Sequence, residues 1–252
     1  MHETVSIRTE DGTCPAHVFT PDSGSGPWPG AIFYMDGLAI RPTLFAMAQR
    51  LANAGYLVLL PDLYYRYGPY EPLDPKPIFA SGSVREALGP MLATTGKGPA
   101  SRDTAAFLDW FDSRADFAGG KLGVTGYCMG GGIALAVAAA YPDRIGAAAS
   151  FHGGGLATDE PDSPHLGAGR IKARVYVAGA DQDGSYPPEQ AERLEAALSA
   201  AGVDHRCEIY EGALHGWTMA DFPIYDLAAA ERHWDELIGL FDGVLKYSAP
   251  PP

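Results

Sequence analysis

The stretch from Lys121 to Tyr141, KLGVTGYCMGGGIALAVAAAY, constrains the fold more than any other part of the chain. Leu122 and Val124 begin a short apolar strand pattern, Gly126-Tyr127-Cys128-Met129-Gly130 forms a sharp turn, and an Ala-rich run follows with no polar residue until Tyr141. The pattern predicts a strand, an elbow and a buried helix. The spacing Gly-x-Cys-x-Gly matches the nucleophile elbow, usually written with Ser at its centre, whose tight strand-to-helix turn leaves room only for small neighbours. The helix that follows aims free N–H groups and its positive dipole end at the central residue, which favours a thiolate and later an oxyanion. A competing reading makes Cys128 a small buried core residue, as most free cysteines are.

The rest of the chain supplies strands and helices in alternation. Thr4 to Arg8 and Cys14 to Phe19 alternate around Asp11-Gly12, a hairpin signal. Ala31 to Tyr34 and Leu57 to Leu60 read as buried strands separated by a helix over Pro42 to Ala54, so the connection is a parallel crossover. From Leu63 to Pro99 the periodicity fails amid clustered tyrosines and prolines, and only Val84 to Leu92 looks helical. Residues 63–99 are therefore read as a lid-like or substrate-facing excursion. An amphipathic helix over Asp103 to Phe111 precedes the elbow. After it come strands at Ala147 to Phe151, Val175 to Ala178 and Glu208 to Tyr210, with helices over Glu189 to Ala201 and Ala228 to Leu245. The expectation is a single α/β domain over 1–252, with a mostly parallel sheet of about seven or eight strands, helices on both faces, and a frayed tail at 248–252.

Composition narrows the partners. A net charge of −13 disfavours nucleic acid and anionic membrane surfaces, which select clustered Lys and Arg. The scattered cysteines Cys14, Cys128 and Cys207 form no disulfide framework, and the N-terminus MHETVSIRTEDG has no apolar core of a signal peptide. These features predict a cytoplasmic protein, monomeric or a small homo-oligomer, acting on a small molecule.

A nucleophile needs a base within hydrogen-bond reach and a group that orients the base. On an elbow of this kind the partners follow in the order nucleophile, acid, histidine, on loops after late strands. His215, in Ala213-Leu214-His215-Gly216-Trp217 just past the last strand, is the base candidate, and His152, after the strand that follows the elbow, is its rival. The acid comes from Gly179-Ala180-Asp181-Gln182-Asp183-Gly184-Ser185-Tyr186-Pro187, where Asp183 is preferred and Asp181 is the alternative.

Gly126-Tyr127-Cys128-Met129-Gly130-Gly131, the acid loop ending in Pro187-Pro188-Glu189, and His215-Gly216-Trp217 together resemble the dienelactone hydrolase family of the α/β-hydrolase superfamily. Pro61-Asp62-Leu63-Tyr64-Tyr65-Arg66 and the late Tyr225-Asp226 resemble it too, so the likeness runs from about Ala31 onward. The resemblance implies an α/β-hydrolase fold and a Cys128-Asp183-His215 triad that hydrolyses a lactone or carboxylic ester through a thioester, without metal or organic cofactor. It implies an oxyanion hole made by the Met129 N–H and a second N–H from Gly37 or Leu38. It also places Asp36 where the family carries a Glu near the thiol, and Arg66 where a family arginine binds a substrate carboxylate. After His215 this chain reads Gly216-Trp217-Thr218-Met219-Ala220-Asp221, with no second arginine, which points to a less anionic substrate in a pocket lined by Tyr64, Tyr65 and Trp217. The alternative function is a catalytically silent hydrolase-like fold that binds a small ligand or partner.

Overall fold

The computed structural model describes residues 1–80 and 84–246. The chain opens with an antiparallel hairpin, β1 (His2–Thr9) and β2 (Gly12–Phe19), joined by a turn at Glu10 and Asp11, one residue earlier than the Asp11-Gly12 signal suggests. β3 (Gly30–Tyr34), α1 (Pro42–Asn53) and β4 (Leu57–Pro61) form the expected crossover, with β3 and β4 parallel. β5 (Leu122–Tyr127), β6 (Ile145–Phe151), β7 (Arg174–Ala180) and β8 (His205–Tyr210) extend the sheet as parallel neighbours. The eight strands lie in the order β1-β2-β4-β3-β5-β6-β7-β8, with β2 antiparallel to β4. This is the mostly parallel, helix-covered sheet that the alternating pattern predicts.

Parallel strands in such a sheet are covered on both faces and read as continuous apolar runs. Every residue of β3, β4, β5 and β6 is buried. The two faces of β5 show what covers them. A Cβ on Gly123 would strike the Phe241 ring of α7 (Leu227–Phe241), and the Tyr127 hydroxyl meets His233 of the same helix. Gly126 points the other way, onto the first turn of α5 (Met129–Ala140). On that second face α5 packs against α4 (Lys97–Asp112), and α6 (Pro188–Ala200) lies against β8. On the first face Arg50 of α1 reaches Glu231 of α7 and lies over the Trp234 ring.

The excursion at 63–99 holds more helix than its composition suggests. A short helix, α2 (Pro75–Ala80), precedes α3 (Val84–Leu92), and α4 begins at Lys97, six residues ahead of the expected Asp103. Pro99 reads as a helix breaker, yet it stands in the first turn of α4, where a missing N–H costs no intrahelical bond. A 3-10 turn over Pro164–Arg170 fills the long connection between β6 and β7, which the sequence reading leaves as loop. α7 stops at Phe241 and gives way to a wider turn over Asp242–Lys246, short of the expected Leu245. Residues 81–83 of the excursion and the tail at 248–252 lie outside the described residues. No helix among the described residues is long and apolar enough to cross a membrane.

The crossing of β5 and α5 sets a steric limit that substitution can test. A Cβ on Gly126 would lie far inside contact with the Gly130 carbonyl, whereas one on Gly132 meets nothing closer than 3.7 Å. Gly126→Ala is expected to lower unfolding stability by about 3 kcal/mol or more. Gly132→Ala is expected to be neutral or to stabilise by up to about 1 kcal/mol through helix propensity. Urea unfolding of both variants checks the contrast, and equal stabilities would contradict the packing described.

Candidate active site

β5 ends at Tyr127 and α5 begins at Met129, which leaves Cys128 between them with φ 53° and ψ −113°. Side chains other than glycine rarely adopt positive φ, and such a residue persists only where its surroundings over-determine it. Here the closest packing is backbone on backbone: a Cβ on Gly126 would run into the Gly130 carbonyl, and one on Gly130 into the Tyr34 carbonyl of β3. The Cys128 N–H is shared between Phe151 O and His152 Nδ1, each at 3.1 Å. The Cys128 side chain, unlike Cys14, stays partly exposed. Met129 opens α5, so its N–H has no intrahelical acceptor.

The loops after β7 and β8 bring the acid and the imidazole together. Asp183 Oδ2 lies 2.6 Å from His215 Nδ1, while Oδ1 accepts the Ser185 N–H at 2.8 Å and the Ser185 hydroxyl at 2.6 Å. Asp181 faces away and accepts the Gly212 N–H at 2.9 Å. Burial would raise the Asp183 carboxyl, but the hydrogen bond and charge of His215, with the two Ser185 donors, hold it below the usual carboxylate range. Burial likewise opposes a charge on His215. The Cys128 sulfur and the Asp183 carboxylate override it and push the imidazole up to about 10, by electrostatic attraction and by accepting hydrogen bonds from the ring.

His152 sits behind this pair with no solvent exposure, its ring centroid 5.2 Å from that of His215. Because Nδ1 accepts the Cys128 N–H, Nε2 carries the proton and donates to Thr218 Oγ1 at 2.8 Å. Burial, and repulsion from His215 and His233, keep its pKa well below 6.5, so it stays neutral. The β3–α1 loop closes the other side. Both Asp36 oxygens bind Arg41 at 2.7 Å, the Leu38 N–H donates to Asp36 Oδ1 at 2.9 Å, and Arg41 Nε reaches Asp221 Oδ2 at 2.7 Å on the loop that carries His215. The Tyr64 hydroxyl donates to Gly37 O at 2.9 Å.

The family model of the dienelactone hydrolases matches residues 14–245. The chain belongs to the dienelactone hydrolase family. It is 30% identical over 242 residues to an Escherichia coli (strain K12) protein named "Putative carboxymethylenebutenolidase", covering 94% of this chain and 84% of the relative. It is 26% identical over 249 residues to the carboxymethylenebutenolidase of Rhodococcus opacus, covering 97% and 92%. Its fold superposes on the crystal structure titled "Putative Dienelactone Hydrolase" from Klebsiella pneumoniae with a TM-score of 0.81 at 23% identity, over 96% and 98% of the two chains. The protein is thus a hydrolase of the dienelactone hydrolase family, with the α/β-hydrolase fold that its sequence implies.

In the structure Asp183 is bonded to His215, which in turn feels the Cys128 sulfur, while five other expected site residues are held by partners within the protein. The Leu38 N–H is taken by Asp36, which leaves Gly37, the other expected donor, whose N–H donates to none of the described residues. Asp36 is itself buried and bound at both oxygens by Arg41. Arg66 is drawn onto Asp103 and Asp11, two carboxylates remote in sequence but adjacent in the fold. Tyr64 is buried with its hydroxyl on Gly37 O. Trp217 is fully buried, stacked on Tyr210 and edge-on to His152, so it backs the site without lining it. The sequence signals that suggest pocket residues, aromatic type and proximity to motifs, do not say which side of a loop faces inward.

Sequence reasoning also passes over Arg41, Ser185 and Thr218, and treats His152 only as a rival base. The raised His215 pKa gives a signed expectation. A histidine whose folded pKa lies above its unfolded value of about 6.5 contributes stability that is complete below that pH and is lost as the pH climbs through about 10. The difference in urea midpoint between wild type and Asp183→Asn is therefore expected to be largest near pH 6 and to shrink by pH 10. A difference that stays constant over that range would contradict the ion pair.

Proposed function

We propose that this protein hydrolyses an uncharged lactone or carboxylic ester through a Cys128-Asp183-His215 triad and a thioester acyl-enzyme. The observation that carries the reading is His215, bonded on one side to Asp183 and on the other influenced by the Cys128 sulfur at the tip of the elbow. The names of the Escherichia coli and Rhodococcus relatives refer to a carboxymethylene butenolide, a lactone that itself carries a carboxylate, and so support the lactone part of the reading but not the absence of charge.

The chemistry follows from the geometry. The sulfur, its proton held on His215, attacks the carbonyl carbon. The oxygen that becomes negative meets the Met129 N–H and the Gly37 N–H, two fixed donors beside the start of a helix. One such donor contributes about 3 kcal/mol in comparable sites, so the pair matters as much as the base. The tetrahedral intermediate collapses with transfer of the His215 proton to the departing alkoxide oxygen, which in a lactone stays tethered to the acyl group. Water then attacks the thioester, giving its proton to His215, and the sulfur is regenerated. Asp183, fixed by two donors from Ser185, holds the imidazole in the required tautomer and stabilises its cation. His152 braces the elbow from behind through the Cys128 N–H.

The preference for an uncharged substrate rests on the arginines. Arg41 and Arg66 are each bound by two carboxylates, so neither is available to a substrate anion. With its three cysteines free, the chain also suits a reducing cytoplasm. Steady-state kinetics on a panel of aryl esters and lactones tests the assignment. Cys128→Ala is expected to lower kcat/KM at least about 10³-fold, and Asp183→Asn to lower it strongly, while Asp181→Asn stays within about threefold of wild type. Turnover retained by Cys128→Ala, or lost equally in both aspartate variants, would reject it.

A further inference from the structure

Away from the active site, Glu195 of α6 and His205 and Cys207 of β8 converge at the sheet edge. Their ligating atoms, one carboxylate oxygen, one imidazole nitrogen and one sulfur, all lie within 4.8 Å of one another. His205 and Cys207 stand two apart on β8, so they share the face of the strand on which α6 packs. We propose that these three side chains form a binding site for a divalent transition-metal ion of zinc-like character, separate from the hydrolytic centre.

The histidine is already set for that role. Its Nδ1 lies 2.7 Å from the Val203 carbonyl, which can only accept, so Nδ1 carries a proton and Nε2 is the nitrogen that faces Glu195, at 3.0 Å. A backbone carbonyl on the far nitrogen is the arrangement that fixes tautomer and ring orientation in metal-ligating histidines. Mixed nitrogen, sulfur and carboxylate ligands suit zinc and cobalt in tetrahedral geometry, whose ligand atoms stand about 3.5 Å apart.

Tyr186 supplies a second, independent sign. Its side chain is buried, its hydroxyl has no hydrogen-bond partner among the described residues, and the charges that act on it are those of Cys207 and Glu195. A buried donor without an acceptor is rare. A thiol sulfur is a weak acceptor, whereas a metal-bound thiolate is a stronger one. Binding of M²⁺ displaces the thiol proton of Cys207 to solvent and leaves its thiolate, with a Glu195 oxygen and His205 Nε2, around the dication. Water completes the coordination on the exposed side of Glu195.

Titration of the full-length protein with Co²⁺ tests the site, because cobalt bound by a thiolate gives a near-ultraviolet charge-transfer band. The expected result is a saturable band in wild type and in Cys128→Ala, abolished by Cys207→Ser and reversed by Zn²⁺. His205→Gln is expected to weaken binding at least about tenfold, with circular dichroism showing that both edge variants stay folded. Absence of a saturable band, a band that survives Cys207→Ser, or one that vanishes in Cys128→Ala would overturn the proposal. The Cys128→Ala arm matters because the Cys128 and His215 pair is itself able to bind a soft metal.

Discussion

The contact between Gly126 and Gly130, backbone against backbone with no room for a Cβ, is the constraint on which the rest depends. It brings β5 and α5 together so sharply that the residue between them is held at positive φ. That residue is Cys128. Its position fixes where the first helical N–H groups point, and the imidazole and carboxylate need only arrive on loops at the same end of the sheet. Parallel strands guarantee that arrival, since the ends of β7 and β8 lie along the same edge as the end of β5.

A second interaction ties the loops to one another. Arg41, almost fully buried, binds Asp36 on the β3–α1 loop and Asp221 on the loop after His215, and its guanidinium lies 5.1 Å from the Phe222 ring centroid. Breaking one side of a buried pair of this kind typically costs about 3–5 kcal/mol, because the partner is left charged and unsolvated. The same carboxylate takes the Leu38 N–H, so the Arg41 pair also holds the backbone of the β3–α1 loop. A residue with no catalytic chemistry of its own thus positions two sides of the site.

These two levels explain what the sequence makes legible. The elbow and the alternation of strands and helices are written in local spacing, and both reappear in the fold; the chain order Cys128, Asp183, His215 is written there too. Local spacing also narrows the acid to two aspartates, but only the turn at Ser185 shows that Asp183 faces the imidazole and Asp181 faces Gly212. The arginines are another matter. Arg41 and Arg66 find carboxylates far away in the chain, and no periodicity announces Asp221 beside the first or Asp11 and Asp103 beside the second. Trp217 and Tyr64 show the same limit: an aromatic next to a motif fits a pocket wall and a buried brace equally well, and the turn of the backbone chooses. The early start of α4 was hidden for a different reason, because Pro99 breaks a helix interior but not a first turn.

The central claim is that Cys128 becomes covalently acylated during turnover. Rapid quenching of the wild-type protein with a slowly deacylating aryl ester, followed by intact-protein and peptide mass spectrometry, measures this most directly. The account predicts a burst of one phenolate per protein, with the acyl mass on the Cys128 peptide and released by hydroxylamine. Turnover with a burst but with the acyl group on another residue would contradict it.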